Sequence, residues 1–348
     1  MVADNRSEVY KPSWFDRFND WLEQQRIRPW LIYVALGVAL VLVQLLLLWL
    51  EGGSFTNELL PVICFNGLAV PYLLALIRYL DDQAVQAMQG MRPVLRMSDE
   101  VFDAQKFRIA TMPFLAPLLA GLAMMLFAVL FPLVASEPGR YAALAQLPLF
   151  NVAFQIIDKS SAFLFGVVVY HTIRQLRLVN AINSNYIRVN IFQLRPVQAF
   201  SRLTAATAVG LVIFFYGWFL INPDLLADPA ILGVSLLFTV LAVLVFAWPL
   251  WGVHRMMAAE KERALQQIEL QFEDIFALFN RHVNAEDYAA AEKLNGTIMS
   301  LEVQHNKVSA VPTWPWRPET ARVVVSAVAL PVLLMIVQLL VQRALGGQ

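Results

Sequence analysis

Asn151, Gln155, Asp158 and Lys159 interrupt a long apolar run at 148–172, with Ser160 and Ser161 directly behind them. If that run crosses a bilayer, each of the two charges costs a few kcal/mol unless it is paired or hydrated. Adjacent positions on a helix diverge by about 100°, so partners for Asp158 and Lys159 are expected on other helices or in water. The chemistry such a set supports is the holding of a small polar ligand or an ion in a hydrated intramembrane cavity. A buried ion pair between helices is the structural alternative.

A second polar pair lies in the last apolar run, VVVSAVALPVLLMIVQLLVQ at 323–342. Gln338 and Gln342 are four residues apart and so lie one above the other on a helix. Leu334 and Leu330 continue that stripe inward, with Val341 at its edge. A narrow apolar face broken by amides suits a pore whose dry section closes by dewetting. Amide contacts between packed helices give the same pattern.

Enzyme chemistry is not expected. The chain contains no glycine-rich phosphate loop, no nucleophile elbow and no His-Glu-x-x-His motif. The lone cysteine, Cys64, excludes an internal disulfide framework, and no cofactor is implied. His171 and His254 end apolar runs at similar depth and could meet as a metal or pH site, although ending helices beside arginines is the commoner role.

The elements that must position these residues are membrane helices. Of 348 residues, 59% are hydrophobic and 15% charged, against roughly 45–50% and 25% in soluble domains. Net charge is zero, which removes the electrostatic case for nucleic acid. Seven runs have the length of a span, at 30–50, 60–79, 112–134, 148–172, 204–221, 229–251 and 322–342. The connections that would share one side carry 23 of the 26 Lys and Arg residues. That bias puts the N-terminus in the cytoplasm and the C-terminus outside. The expected fold is therefore an all-α, multi-pass plasma-membrane protein with seven transmembrane helices and long cytoplasmic helical extensions.

Residues 1–29 hold a short amphipathic helix, with Trp14, Phe15, Phe18, Trp21 and Leu22 on one face and Asp16, Arg17, Asp20 and Glu23 on the other. It should lie along the inner interface. Residues 30–253 form a six-helix bundle with helical cytoplasmic loops. At 254–310 a helical hairpin follows, because no stop signal ends the sixth span and a new helix start stands at Asn284 to Asp287. Leu265, Ile268, Phe272, Ile275 and Phe279 make an apolar seam along its first arm, suited to packing within the hairpin or between subunits. Residues 311–348 begin with a Pro/Trp elbow that lifts the chain into the seventh helix.

This layout resembles the seven-transmembrane ion channels typified by insect olfactory and gustatory receptors. The resemblance implies a homotetramer held by cytoplasmic helices, with a ligand pocket in the outer half of the bundle and the last helix of each subunit lining the pore. The terminal Thr-Tyr…Gln-Phe signature of that family is not present: Leu339 follows Gln338, and Pro331 and Val332 stand where Thr-Tyr would. The leading expectation is a cation-permeable channel gated by a small-molecule ligand. A pore-less membrane sensor and a small-molecule transporter are the alternatives.

Overall fold

The computed structural model describes residues 10–57, 59–133, 146–186, 199–221, 229–314, 316, 319–326, 329 and 333, with most side chains of 219–249 outside that description. Among the described residues the architecture is helical, with one isolated backbone bridge between Pro12 and Pro113. The chain is an all-α membrane protein.

Helix α1 (Trp14–Gln24) is the amphipathic segment. Phe15 and Leu22 are its fully buried side chains. Pro29 opens α2 (Pro29–Leu50), where its missing N–H is harmless. The second span, α3 (Leu59–Met91), continues well past residue 79. After it come α4 (Asp99–Ala110), α5 (Leu115–Leu130), α6 (Pro148–Tyr186) and α7 (Ala199–Ile221). The last described elements are α8 (Pro229–Asn284), α9 (Tyr288–Ser309) and a last helix described over 319–326.

Four of these helices are long and apolar enough to cross a membrane: Pro29–Leu50, Leu59–Val94, Pro148–Ile182 and Phe200–Trp218. The count of seven full-length spans is thus not reached among the described residues. The expected third span, 112–134, is shortened to the apolar helix Leu115–Leu130. Its first residues are used otherwise, since Thr111 is extended and Pro113 pairs with Pro12. The sixth run lies at the start of α8, and most of the seventh lies outside the described residues.

Helix α3 is the axis of the bundle and packs against α2, α6 and α7. Leu73, Ile77, Leu80, Ala84 and Met88 form its buried stripe, each fully or almost fully covered. Elsewhere small residues set the helix spacing, as membrane packing favours. A Cβ on Gly166 of α6 would sit 2.5 Å from the Ala120 carbonyl oxygen of α5, so this close crossing requires glycine.

The sixth run and the hairpin's first arm form one continuous helix, as the missing stop signal predicts. Helix α8 runs for 56 residues without a break. It turns at Glu286, whose φ of 59° is left-handed, and Asp287 caps α9 through its contact with the Ala290 N–H. The elbow at 311–314 is not helical, and Trp314 stacks between His254 at 4.0 Å and Trp316 at 4.3 Å.

Candidate functional site

One group of buried polar side chains, among them Asp16, Asp81, His171 and Gln175, gathers at the end of the bundle that meets the N-terminal segment. Asp81 stands on α3 four residues beyond Ile77 and three before Ala84, so the helical period places it in the buried stripe. On α6, His171 and Gln175 are one helical repeat apart and face the same way. Both reach the same carboxylate oxygen. His171 Nε2 lies 2.7 Å from Asp81 Oδ1, and Gln175 Nε2 donates to it at 3.0 Å. The Gln175 amide also donates to the Ile109 carbonyl at the end of α4.

The N-terminal segment is stitched to the same place. Asp16 Oδ2 accepts from the Ser13 N–H and Oγ, both at 2.8 Å, and from the Met112 N–H at 3.0 Å. Tyr10 Oη donates to the Thr111 carbonyl, while Arg174 donates to that carbonyl at 2.6 Å and to Tyr10 Oη at 2.8 Å. The α4–α5 junction at 109–112 therefore exchanges hydrogen bonds with the N-terminal segment and receives them from α6. Burial pushes the Asp16 carboxyl above the usual carboxylate range, against the opposing effect of its hydrogen bonds and of nearby His171. Burial also raises the Tyr10 phenol.

Satisfaction is incomplete. His171 Nδ1, Thr172 Oγ1 and Gln175 Oε1 are buried with no hydrogen-bond partner among the described residues. A neutral imidazole donating from Nε2 leaves Nδ1 as an unmet acceptor, and a protonated one leaves an unmet N–H. Chemically, a carboxylate and an imidazole at this distance can share, hold or pass on a proton. They can also change the grip between α3 and α6 as the charge state changes.

The sequence-predicted residues are distributed differently. Asp158 and Lys159 pair with each other at 2.8 Å, which corrects the expectation that their partners lie elsewhere. Long side chains bend across the divergence of adjacent positions, and Lys159 also reaches the Ala128 carbonyl of α5 at 3.2 Å. Ser160 and Ser161 bond back into their own helix. Asn151 is half-buried and Gln155 exposed. The buried amide contact in the outer bundle belongs to other residues: Asn66 donates to Gln44 at 3.0 Å and to the Phe154 carbonyl at 3.1 Å.

His171 and His254 are not brought together. The first meets Asp81, and the second stacks on Trp314 with Nδ1 3.1 Å from the Thr313 carbonyl oxygen. Asp16, expected on the solvated face of α1, is buried as the reciprocal partner of its N-cap. Leu334, Gln338, Val341 and Gln342 lie outside the described residues.

The apolar seam on α8 is half-covered. Leu265, Ile268, Ile275 and Phe279 are half-buried along α8, beside an α9 whose Leu301 and Val308 are buried. Phe272 remains 37% and Phe276 46% exposed, stacked on each other at 5.9 Å. They line a groove of about 600 Å³ whose polar rim includes Glu269, Glu273 and His305. Among the described residues no group of three or more His, Cys, Asp and Glu side chains is placed to hold a metal. Comparison with protein-family models, curated proteins and solved structures finds no match.

Proposed function

We propose that the chain is one subunit of a homotetrameric, cation-permeable channel in the plasma membrane, with seven spans and the last helix at the axis. The observation that carries this reading is the uncovered aromatic groove on the α8–α9 hairpin. Phe272 and Phe276 stay exposed on a charged hairpin, and in this reading, with the hairpin in the cytoplasm, a second copy of it covers them. The edge position of the last helix supports the same reading: Val324 packs inward, whereas Val323 and Val325 on either side are exposed. In this reading Gln338 and Gln342 face the axis, Leu334 and Val341 form the dry constriction, and the stretch from Asn151 to Lys159 borders an outer ligand cavity.

Purified protein in planar bilayers tests the proposal. A Leu334→Ser variant should wet the constriction and raise resting conductance, while Val332→Ser on another face should not. Absence of current from wild type and Leu334→Ser alike would overturn the channel. A pore-less sensor then takes its place, a reading favoured by the Asp81–His171 pair, which joins α3 and α6 beside the N-terminal segment.

A further inference from the structure

A lateral groove of about 520 Å³ opens between α3, α7 and the first turns of the last helix. Its polarity is graded in one direction along all three elements. On α3 the lining runs from Gln86 through Gln83 to Tyr79, on α7 from Arg202 to Val209, and on the last helix from Glu319 to Val323. Seven helical residues rise by about 10 Å. Tyr72 Oη donates to the Gly210 carbonyl and Leu76 meets Gly210, so α3 and α7 run antiparallel, with Gln86 and Arg202 toward one end and Tyr79 and Val209 nearer the other. The charge bias of the loops places the polar level on the cytoplasmic side. Tyr79, half exposed, stands where amphipathic rings favour the headgroup zone. Ala205 and Ala206 keep the floor low.

We infer that this groove holds one phospholipid of the cytoplasmic leaflet, with its phosphate on Arg202, its ammonium on Glu319 and an acyl chain along Ala206 and Val209. Charge complementarity selects the headgroup. Arg202 and Glu319 sit on one rim with opposite signs, so a phosphoethanolamine lipid satisfies both, whereas a purely anionic headgroup leaves Glu319 facing a phosphate. The apolar part of the lining, Ala205, Ala206, Val209 and Val323, gives water few partners and suits an acyl chain, while the polar part suits a headgroup.

Native mass spectrometry of the detergent-solubilised full chain, loaded with equal phosphatidylethanolamine and phosphatidylglycerol, tests it. Wild type should retain one phosphatidylethanolamine per chain in preference to phosphatidylglycerol. Arg202→Gln should lose retention of both by about tenfold, the usual worth of a charged hydrogen bond. Glu319→Gln should remove the preference while keeping retention. Ala206→Phe fills the groove with both charges intact and should expel the lipid, which serves as the reading if Arg202→Gln does not fold. Undiminished retention in Arg202→Gln or in Ala206→Phe overturns the site, as does a wild-type preference for phosphatidylglycerol.

Discussion

Asp81 and His171 meet at 2.7 Å across ninety residues of chain, with the imidazole fully buried and the Gln175 amide on the same carboxylate oxygen. This contact ties α3 to α6 at the level where both leave their apolar runs. It lies beside the α4–α5 junction that also binds the N-terminal segment. This end of the bundle is thus closed by polar contacts, whereas the other packs Phe150, Phe154 and Ile63 around the single Asn66–Gln44 amide contact.

Removing one partner of that pair leaves the other buried and unmet. Asp81→Ala should therefore destabilise the solubilised protein by about 3–5 kcal/mol. Replacing both partners by apolar groups of similar size, Asp81→Leu with His171→Phe, should recover most of the loss. Thermal unfolding of wild type, Asp81→Ala, Asp81→Leu, His171→Phe and the double variant in one detergent reads this. A double variant that loses as much as both single losses together would contradict the pairing.

The Asp16 carboxyl gives a pH dependence with a fixed sign. Its folded value lies above the model-peptide value of 3.8 because burial penalises the charged form. Charging it therefore costs the fold stability at neutral pH. That cost lifts as pH falls through the raised folded value and is gone near the unfolded one. Asp16→Asn keeps an acceptor oxygen but does not titrate. Lowering pH from neutral should thus stabilise wild type relative to Asp16→Asn. A relative loss on acidification would reverse the sign and refute the assignment.

Much of this architecture is legible in the chain itself. Apolar runs locate α2, α3, α6 and α7, and the absence of a stop signal after residue 251 announces the α8 rod. Asn284 to Asp287 marks the turn into α9. Of the candidate site only His171 stands out in the sequence, although the helical period shared by Ile77, Asp81 and Ala84 is a signal that could have pointed to Asp81. What hid it is tertiary. Nothing local pairs Asp81 with a histidine ninety positions later. Asp16 reads as solvated until the fold lays Met112 over it. The shortening of the third span has the same origin: 111–113 are recruited by Tyr10, Pro12 and Ser13 rather than by their own helix.

The intramembrane pair on α6 should behave as one unit. Asp158 and Lys159 are each about a quarter to a third exposed, with side-chain values of 30% and 25%. Asp158→Asn or Lys159→Met alone strands a charge near mid-membrane, at a cost of about 2–3 kcal/mol. The double variant should cost less than either single one, with a coupling of about 1–3 kcal/mol. Unfolding in detergent or bicelles measures the cycle. Strict additivity would show that each charge is served by water or by other helices.

The mass of the solubilised particle tests the central claim most directly. The chain weighs 39.2 kDa, and assembly through the Phe272–Phe276 groove predicts four times that mass for wild type. Phe272→Asp with Phe276→Asp should give membrane-inserted protein of single-chain mass. Wild type at single-chain mass, or a fourfold particle unchanged by the two aspartates, would contradict the account.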